Sequence, residues 1–300
     1  MKYFLYLPVL FLGLYLSGCS ELDTNIAQPK LSPDFHEEGI LNPASSNFHG
    51  KLISGNHWDM NQCQQCHGGD FAGGLVKVSC NTCHTQPSGP ENCSTCHGSS
   101  TSPAPPEDLS GNTSVNQHGV GAHQIHLIGN SKGKTLACAE CHQVPTAYLS
   151  PGHIDSDLPA EAPMNGFLAT LKTNDPSTET YSPGLQLFNP QPNYNATVYS
   201  CANTYCHGTF KNGNTDNAPV WTDPSSAACG TCHGDPTKTT LHEKALPKTV
   251  AEGGTHIAVP LGGTPCSDCH GGVVDVNLRF INPSKHIDGK LNLFGDDKTF

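Results

Sequence analysis

The sequence has few of the apolar side chains from which a protein of 300 residues normally builds its core. Hydrophobic residues make up 35% of the chain and aromatic residues 7%, while 31 glycines and 24 prolines interrupt long helices and strands. A chain of this composition either stays largely disordered or packs around material that is not protein. The 15 cysteines and 17 histidines favour the second alternative.

Positive charge is also scarce, with 15 lysines and arginines against 26 aspartates and glutamates and a formal net charge of −11. Nucleic acids and acidic lipid surfaces carry negative charge and attract basic proteins, so this balance predicts no nucleic-acid partner. A cationic protein or a mineral surface suits the charge of the chain better.

The apolar run at residues 3–16 is too short to span a bilayer comfortably, and with a lysine before it the run is typical of a signal-peptide core. Residues 16–19, Leu-Ser-Gly-Cys, resemble the lipobox of bacterial lipoproteins. The sequence therefore predicts an exported protein in which residues 1–18 are a lipoprotein signal peptide and Cys19 carries a lipid anchor. By resemblance to bacterial sorting signals, Ser20 favours the outer membrane, with the chain facing the periplasm or the cell surface. An ordinary signal peptide with an incidental cysteine is the alternative.

The remaining cysteines form seven pairs, and a histidine directly follows the second cysteine of every pair. Six motifs read Cys-x-x-Cys-His, and the fifth in chain order has four residues between its cysteines. The cysteines of motifs 1 to 7 are Cys63 and Cys66, Cys80 and Cys83, Cys93 and Cys96, Cys138 and Cys141, Cys201 and Cys206, Cys229 and Cys232, and Cys266 and Cys269. The histidines of motifs 1 to 7 are His67, His84, His97, His142, His207, His233 and His270.

This spacing suits covalent attachment of haem. Two thiols on one side of a turn can each join one vinyl group of the porphyrin, and the next residue can place its imidazole on the iron. The sequence thus predicts seven haem c groups, with the paired cysteines as thioether positions and the seven histidines as proximal iron ligands. Disulfides or zinc sites are the alternatives. Neither requires a histidine after every second cysteine, and disulfides across three residues would close very small loops.

Several longer strings resemble the multihaem c-type cytochromes of metal-respiring bacteria, which mix Cys-x4-Cys-His with Cys-x2-Cys-His motifs. These strings are residues 63–74, 138–145, 205–208 with Trp221-Thr222 downstream, and 286–289. The resemblance covers most of residues 57–295. It implies electron transfer in the periplasm or at the outer surface, with other cytochromes, a porin-type conduit or an extracellular metal acceptor as partners.

Methionine is rare, and Met60 and Met164 are the two that follow the signal peptide, so histidine is the expected sixth iron ligand at closed sites. Methionine ligation raises the potential of a haem, so the haems are expected to be low-potential and ligated by two histidines. Seven histidines outside the motifs are the expected distal ligands: His57, His123, His126, His153, His242, His256 and His286. His49 and His118 are close reserves, and His36 is expected to be a bystander.

Composition divides the chain into segments. Residues 19–47 are polar, lack a hydrophobic period and predict a tether, while residues 48–98 are dense in cysteine, histidine and glycine and predict a three-haem module. Residues 99–114 are a Ser/Pro-rich linker, and residues 115–300 predict a four-haem module. In that last module a histidine, a cysteine pair and a His-Ile-Asp string occur twice in the same order, which indicates internal duplication. Its aspartates, Asp155 and Asp288, are expected to orient the histidine rings two residues before them.

Regular secondary structure is expected to be sparse. We predict a mostly irregular, haem-cored multihaem cytochrome c fold, with short helices around the cysteine motifs and a few short β-strands. The alternation of apolar and polar residues over 274–280 predicts one strand, with residues 291–293 as its partner. Residues 195–199 are a second strand candidate.

The favoured function is electron transfer in respiration or to an extracellular acceptor, with no catalytic residues. About 282 residues give a radius of gyration of about 19 Å, so seven haems within that volume lie close enough for electrons to pass between them. A multihaem reductase with one open iron site is the alternative, although every motif ends in histidine and none in lysine. A disulfide or zinc scaffold is the least favoured.

Overall fold

The computed structural model describes residues 36–129, 131–156, 159–173, 188–252, 256–258 and 265–299. The predicted signal peptide, Cys19 and most of the predicted tether lie outside the described residues. Within these ranges, no helix combines the length and the apolar character needed to cross a bilayer. The chain divides into two compact units, one that ends at Gln62 and one that runs from Cys63 to Phe300.

Most of the described chain is irregular, and its helices are short, as the sequence predicts. The longest α-helices have seven residues. The α-helices are α1 (His49–Gly55), α2 (Asn61–His67), α3 (Cys93–Cys96), α4 (His123–Leu127), α5 (Leu241–Ala245) and α6 (Ser267–His270). The 3₁₀ helices are Cys80–Thr82, Gly89–Glu91, Cys138–Glu140, Tyr205–His207, Pro224–Ala227, Val250–Glu252 and Pro283–Lys285. This architecture is consistent with a multihaem cytochrome.

Local capping explains several of these short turns. The Asn92 side chain accepts a hydrogen bond from the Ser94 N–H at the start of α3. Thr204 caps the Tyr205–His207 turn in the same way by accepting from the His207 N–H. A capping side chain satisfies a backbone donor that has no partner within the helix, and so fixes where the turn begins. The sequence therefore positions single helical turns at the motifs without long amphipathic helices.

Two antiparallel hairpins are the only sheets among the described residues. Strand β1 (Asn193–Asn195) pairs with β2 (Ser200–Ala202), and β3 (Lys290–Leu293) pairs with β4 (Asp296–Thr299). The prediction of a strand over 195–199 is wrong, because the strand ends at its first residue. The Asn195 side chain accepts hydrogen bonds from the backbone N–H groups of Thr197 and Val198, and these bonds turn the chain.

The strand predicted over 274–280 is also wrong. Val274 and Phe280 form a single antiparallel bridge, and the chain between them folds back on itself. The Asp275 carboxylate accepts from the Asn277 and Arg279 N–H groups at 2.8 and 2.9 Å, which competes with an extended conformation. The expected partner segment, residues 291–293, lies in β3 and pairs with β4 instead.

Buried apolar residues of the second unit are few and scattered along the chain. Phe71, Val120, Leu168 and Val273 are among them. Many large apolar side chains stay exposed, including Leu75 at 69%, whose N–H donates to the carbonyl of Cys66 in motif 1. The protein alone therefore leaves apolar surface beside an attachment motif, which suits the insertion of a large apolar group.

The Ser/Pro-rich residues 99–114 are folded against their surroundings. Gly98 and Glu107 exchange two backbone hydrogen bonds, and Ala104 is buried. The Gln124 side chain of α4 donates to the Ala104 carbonyl at 3.2 Å. The division of the chain into a three-haem and a four-haem module on either side of this segment stays a prediction.

Candidate haem sites

Six of the seven motifs include a short helical turn, and motif 6 lies in a turn of irregular chain. In four Cys-x-x-Cys-His motifs the histidine N–H donates to the carbonyl of the first cysteine, at 2.8–3.0 Å. These four are motifs 2, 3, 4 and 7. A single closed turn of this kind brings the first and fourth side chains to the same side, as attachment to one porphyrin edge requires.

All fourteen motif cysteines are thiols rather than halves of disulfides. Burial raises the pKa of Cys141 to about 11 and that of Cys201 to about 12, and it raises the pKa of Cys206 further. Without a bound group these thiols are therefore protonated at neutral pH. In the described ranges, no group of three or more metal-ligating side chains is arranged to hold a single ion.

Four motif histidines each face a histidine from outside the motifs at nearly the same distance. The facing pairs are His97 with His153, His142 with His123, His207 with His126, and His233 with His286. The ring centroids are 6.2 Å apart in the first three pairs and 6.4 Å apart in the fourth. All four outside histidines are among the predicted distal ligands.

This separation matches two imidazoles on opposite sides of one iron. With a metal–nitrogen bond of about 2.0 Å and about 1.15 Å from nitrogen to ring centroid, the two centroids would lie about 6.3 Å apart. The distance alone is not diagnostic, because the stacked rings of His118 and Tyr194 also lie 6.2 Å apart; what distinguishes the four pairs is that each joins a motif histidine to a histidine outside the motifs. The residues therefore fit a haem held by an imidazole on each face.

Backbone carbonyls hold most of these rings by the other nitrogen. In six of the eight rings Nδ1 donates to a carbonyl oxygen, which directs Nε2 away from that carbonyl and leaves it as the ligand atom. The acceptors are Val120 for His123, Ala122 for His126, Glu161 for His142, Tyr148 for His153, Ala245 for His233 and Lys132 for His286. In these six rings the main chain thus fixes the direction in which Nε2 points.

Burial also keeps these imidazoles in the form that binds a metal. Desolvation lowers the pKa of His207 and of His233 to about 4, and it lowers the pKa of His286. A neutral imidazole has a lone pair for a metal ion, whereas the imidazolium has none. The buried rings are therefore neutral at physiological pH.

The aspartates of the His-Ile-Asp strings do not orient the rings by hydrogen bonds as predicted. Asp155 accepts from the Gly152 N–H at 2.9 Å, while its neighbour His153 donates to the Tyr148 carbonyl. Asp288 accepts from the Lys290 N–H in the same manner. Both carboxylates shape backbone turns, and the charge of Asp288 also acts on His286, whose pKa it raises against the larger lowering by burial.

Motifs 1, 2 and 7 contain the other three proximal histidines. His67 and His270 are also held by Nδ1, through the carbonyls of Val78 and Asn292 at 2.8 and 2.9 Å. Burial lowers the pKa of His270, and the charge of His256 lowers it further. This interaction indicates that the predicted distal ligand His256 lies near motif 7.

Two other predicted distal ligands lie elsewhere. His57 belongs to the first unit, and His242 lies in α5, which follows motif 6. Of the reserves, His49 stacks on Phe48 in the first unit. As iron ligands, His57 and His242 stay predictions.

The reserve His118 has another role. Its Nε2 lies 2.6 Å from the Tyr194 hydroxyl, and its ring stacks on Tyr199. Its carbonyl accepts a hydrogen bond from the indole Nε1 of Trp221 at 2.9 Å. Trp221 belongs to one of the strings that carry the family resemblance, but its contact with His118 was not predicted, and Tyr194 was not selected at all, because aromatic residues near a cysteine motif carry no spacing signal of their own.

Comparison with protein families identifies one matching segment. Residues 200–233, which include motifs 5 and 6, match the family described as Geobacter CxxxxCH...CXXCH motif. Searches among curated proteins and among solved structures gave no match. The matched motif implies covalently bound haem c and supports a multihaem c-type cytochrome of this kind.

Proposed function

We propose that this chain is an electron carrier that binds seven haem c groups, of low potential and with histidine on both faces of the iron. The observation that carries the proposal is the recurrence of four histidine pairs with centroids 6.2–6.4 Å apart, each joining a motif histidine to one outside. Haem supplies a one-electron Fe(III)/Fe(II) couple when bound. With an imidazole on each face of the iron, such sites would exchange electrons and would leave no position for a substrate.

The cysteines attach the group without an oxidant. Each thiol of a motif would add across one vinyl double bond, so that sulfur would bond to one carbon and the thiol hydrogen would go to the other. The covalent bonds then hold the porphyrin in place although the protein offers few apolar residues to retain it.

Motifs 4 and 5 are joined by α4. His123 pairs with His142 of motif 4, and His126 pairs with His207 of motif 5. Side chains three residues apart on a helix are neighbours, with Cβ atoms about 5–6 Å apart. Two haems ligated from one helical turn are therefore adjacent, and an electron passes between them over a short distance.

Motif 6 lies directly beside motif 5. The Asn217 side chain donates to the His207 carbonyl at 2.8 Å and to the Cys232 sulfur at 3.6 Å, so one amide contacts both motifs. Gly213 forms an antiparallel bridge with His233. This contact lies within the segment that matches the family.

Charge interactions support an extension of the series to both sides. Burial lowers the pKa of His97, and the charges of His153 and His142 lower it further. The charge of His270 contributes likewise to the low pKa of His233. A route for electrons through motifs 3 to 7 would then follow chain order.

The test is the holoprotein made in a host competent for cytochrome maturation. We expect a Soret band, an intact mass with seven haems and a pyridine haemochrome yield of seven per chain. Redox titration should give low potentials, and the reduced protein should take up no carbon monoxide. A colourless product would overturn the proposal, and carbon monoxide uptake at one haem would indicate a reductase instead.

We further propose that the protein is an exported outer-membrane lipoprotein anchored through Cys19. The support is the lipobox-like segment at residues 16–19. The formal net charge of the whole chain is −11, which favours a cationic redox protein, a porin-type conduit or an extracellular metal as partner. Protease treatment of intact cells should digest a surface-facing protein, whereas protection until permeabilisation would assign it to the periplasmic face.

A further inference from the structure

Trp221 contacts both histidines of α4. Its ring centroid lies 4.7 Å from that of His123, with the two planes at 88° in an edge-on contact. It lies 5.8 Å from that of His126, with the planes inclined by only 22°. One indole therefore packs against two imidazoles that face different motifs.

The nitrogen edge of the indole has two close neighbours. Nε1 donates to the His118 carbonyl at 2.9 Å. Gly121 also lies against this edge, with a φ of +43°, and a Cβ added there would overlap the indole nitrogen. Glycine is needed there because it tolerates a positive φ and has no side chain to displace the indole.

The two imidazoles held by this indole have different relations to their partners. The planes of His123 and His142 are inclined by 21°, and those of His126 and His207 by 75°. The angle between two axial imidazole planes sets the splitting of the iron d orbitals, so it affects both the ferric spectrum and the potential. A group that blocks rotation of both distal rings consequently acts on two irons.

We propose that Trp221 is a positioning residue that sets the planes of His123 and His126, so that the haems of motifs 4 and 5 are tuned together. The inference rests on the proposed haem function. Outer contacts of an iron ligand are known to adjust its orientation and the properties of the metal. Trp221 does so for two sites at once because α4 presents both rings to it.

The experiment is electron paramagnetic resonance and redox titration of the full-length ferric holoprotein with Trp221→Leu. Signals of motifs 4 and 5 are identified as those altered in His123→Ala and His126→Ala. We expect Trp221→Leu to shift these two signals and two of the seven potentials, and to leave the other signals in place. Trp221→Phe keeps an aromatic ring but loses the hydrogen bond to His118, so it should shift them less.

Two further variants test the assignment. Trp58→Leu is the matched control, since it removes the other of the two tryptophans and retains Trp221; the motif 4 and 5 signals should not move. Gly121→Ala retains every ligand and pushes on the indole, so it should shift the same two signals as Trp221→Leu.

The outcomes separate this inference from the proposed function. Unchanged motif 4 and 5 signals in Trp221→Leu and Gly121→Ala, with seven haems present, would overturn the role of Trp221 alone. If Trp221→Leu lost haem, the role of Trp221 would be tested with Trp221→Phe and Gly121→Ala instead. Shifted motif 4 and 5 signals in these two variants would support the role, and unchanged signals would overturn it. Absence of haem from the parent protein would instead overturn the proposed function.

Discussion

His126 and His207 face each other with ring centroids 6.2 Å apart and planes inclined by 75°. His126 comes from a five-residue helix, and His207 ends a three-residue turn far along the chain. Burial lowers the pKa of His207 to about 4, so the ring is neutral and has a lone pair for iron. Such a pair is expensive to bury without a partner, because two buried polar rings lose their hydration. An iron bound between them would supply that partner.

The four histidine pairs predict two spectral classes of haem. The planes are inclined by 31° and 21° at motifs 3 and 4, and by 75° and 82° at motifs 5 and 6. Nearly parallel imidazoles give a rhombic low-spin ferric spectrum, and nearly perpendicular ones give a highly anisotropic signal with a large maximum g value. Electron paramagnetic resonance of the oxidised protein should therefore show both classes, with at least two haems in each. A spectrum of one class only would contradict the geometry.

Removal of a distal ligand should open one iron. In His126→Ala the imidazole that faces His207 is lost, and carbon monoxide can bind the reduced haem of motif 5. We expect uptake of one equivalent more than in the parent protein, measured from the shift of the Soret band.

His118→Ala is the matched control for that experiment. His118 also lies near α4, but its Nε2 lies against the Tyr194 hydroxyl. Its loss should add no carbon monoxide binding. Equal uptake by both variants would mean that His126 is not a ligand.

The cysteine motifs were predictable from the sequence because attachment is local. Two thiols and one imidazole must reach the same porphyrin, so their spacing along the chain is restricted. The partner of His233, by contrast, is His286, which reaches the site only through the fold of the intervening chain. The order of residues indicated His286 as a ligand, but it contained no information on which iron that ligand serves.

The two wrong strand predictions, over residues 274–280 and 195–199, have the same physical cause. Apolar alternation predicts a strand, but Asp275 and Asn195 bind nearby backbone N–H groups and turn the chain within two residues. In a protein with few ladder hydrogen bonds to compete, one such side chain decides the local conformation. Trp221 was part of a string that carries the resemblance, but its contacts with His123 and His126 could not be predicted, because only the fold creates them.

Loss of the cap at motif 5 should reduce stability. Thr204 is almost fully buried, and its hydroxyl accepts from the His207 N–H. Thr204→Ala should lower the free energy of unfolding by about 1 kcal/mol and the Tm by about 2–4 °C. Thermal denaturation followed in the Soret band measures this change. Thr197→Ala, at an exposed turn, should leave the Tm unchanged, and an equal fall in both variants would argue against a specific cap.

The lipid anchor can be tested apart from the haems. Cys19→Ser removes the only cysteine outside the seven motifs. We expect the variant to move from the membrane fraction to the soluble fraction with its Soret absorbance per chain unchanged. If the protein stayed with the membrane, attachment would not depend on Cys19.

Motif 5, which has four residues between its cysteines, allows a test of how the number of attached haems depends on those cysteines. Cys201 lies in β2 and Cys206 in the Tyr205–His207 turn, so each thiol is presented by a different element. A single change, Cys206→Ser, should leave the haem attached by one thioether and move its α absorption band to longer wavelength. The double variant Cys201→Ser/Cys206→Ser should contain one haem fewer by intact mass and pyridine haemochrome.

Ser200→Ala is the control for this series, because it changes the residue next to Cys201 and retains both thiols. It should have the same haem content as the parent. If the double variant also kept the parent's haem content, motif 5 would not attach a haem covalently, and the chain would bind six such groups through its regular motifs. His207 would then face His126 for another reason, and the proposed series of haems would lack a member between motifs 4 and 6.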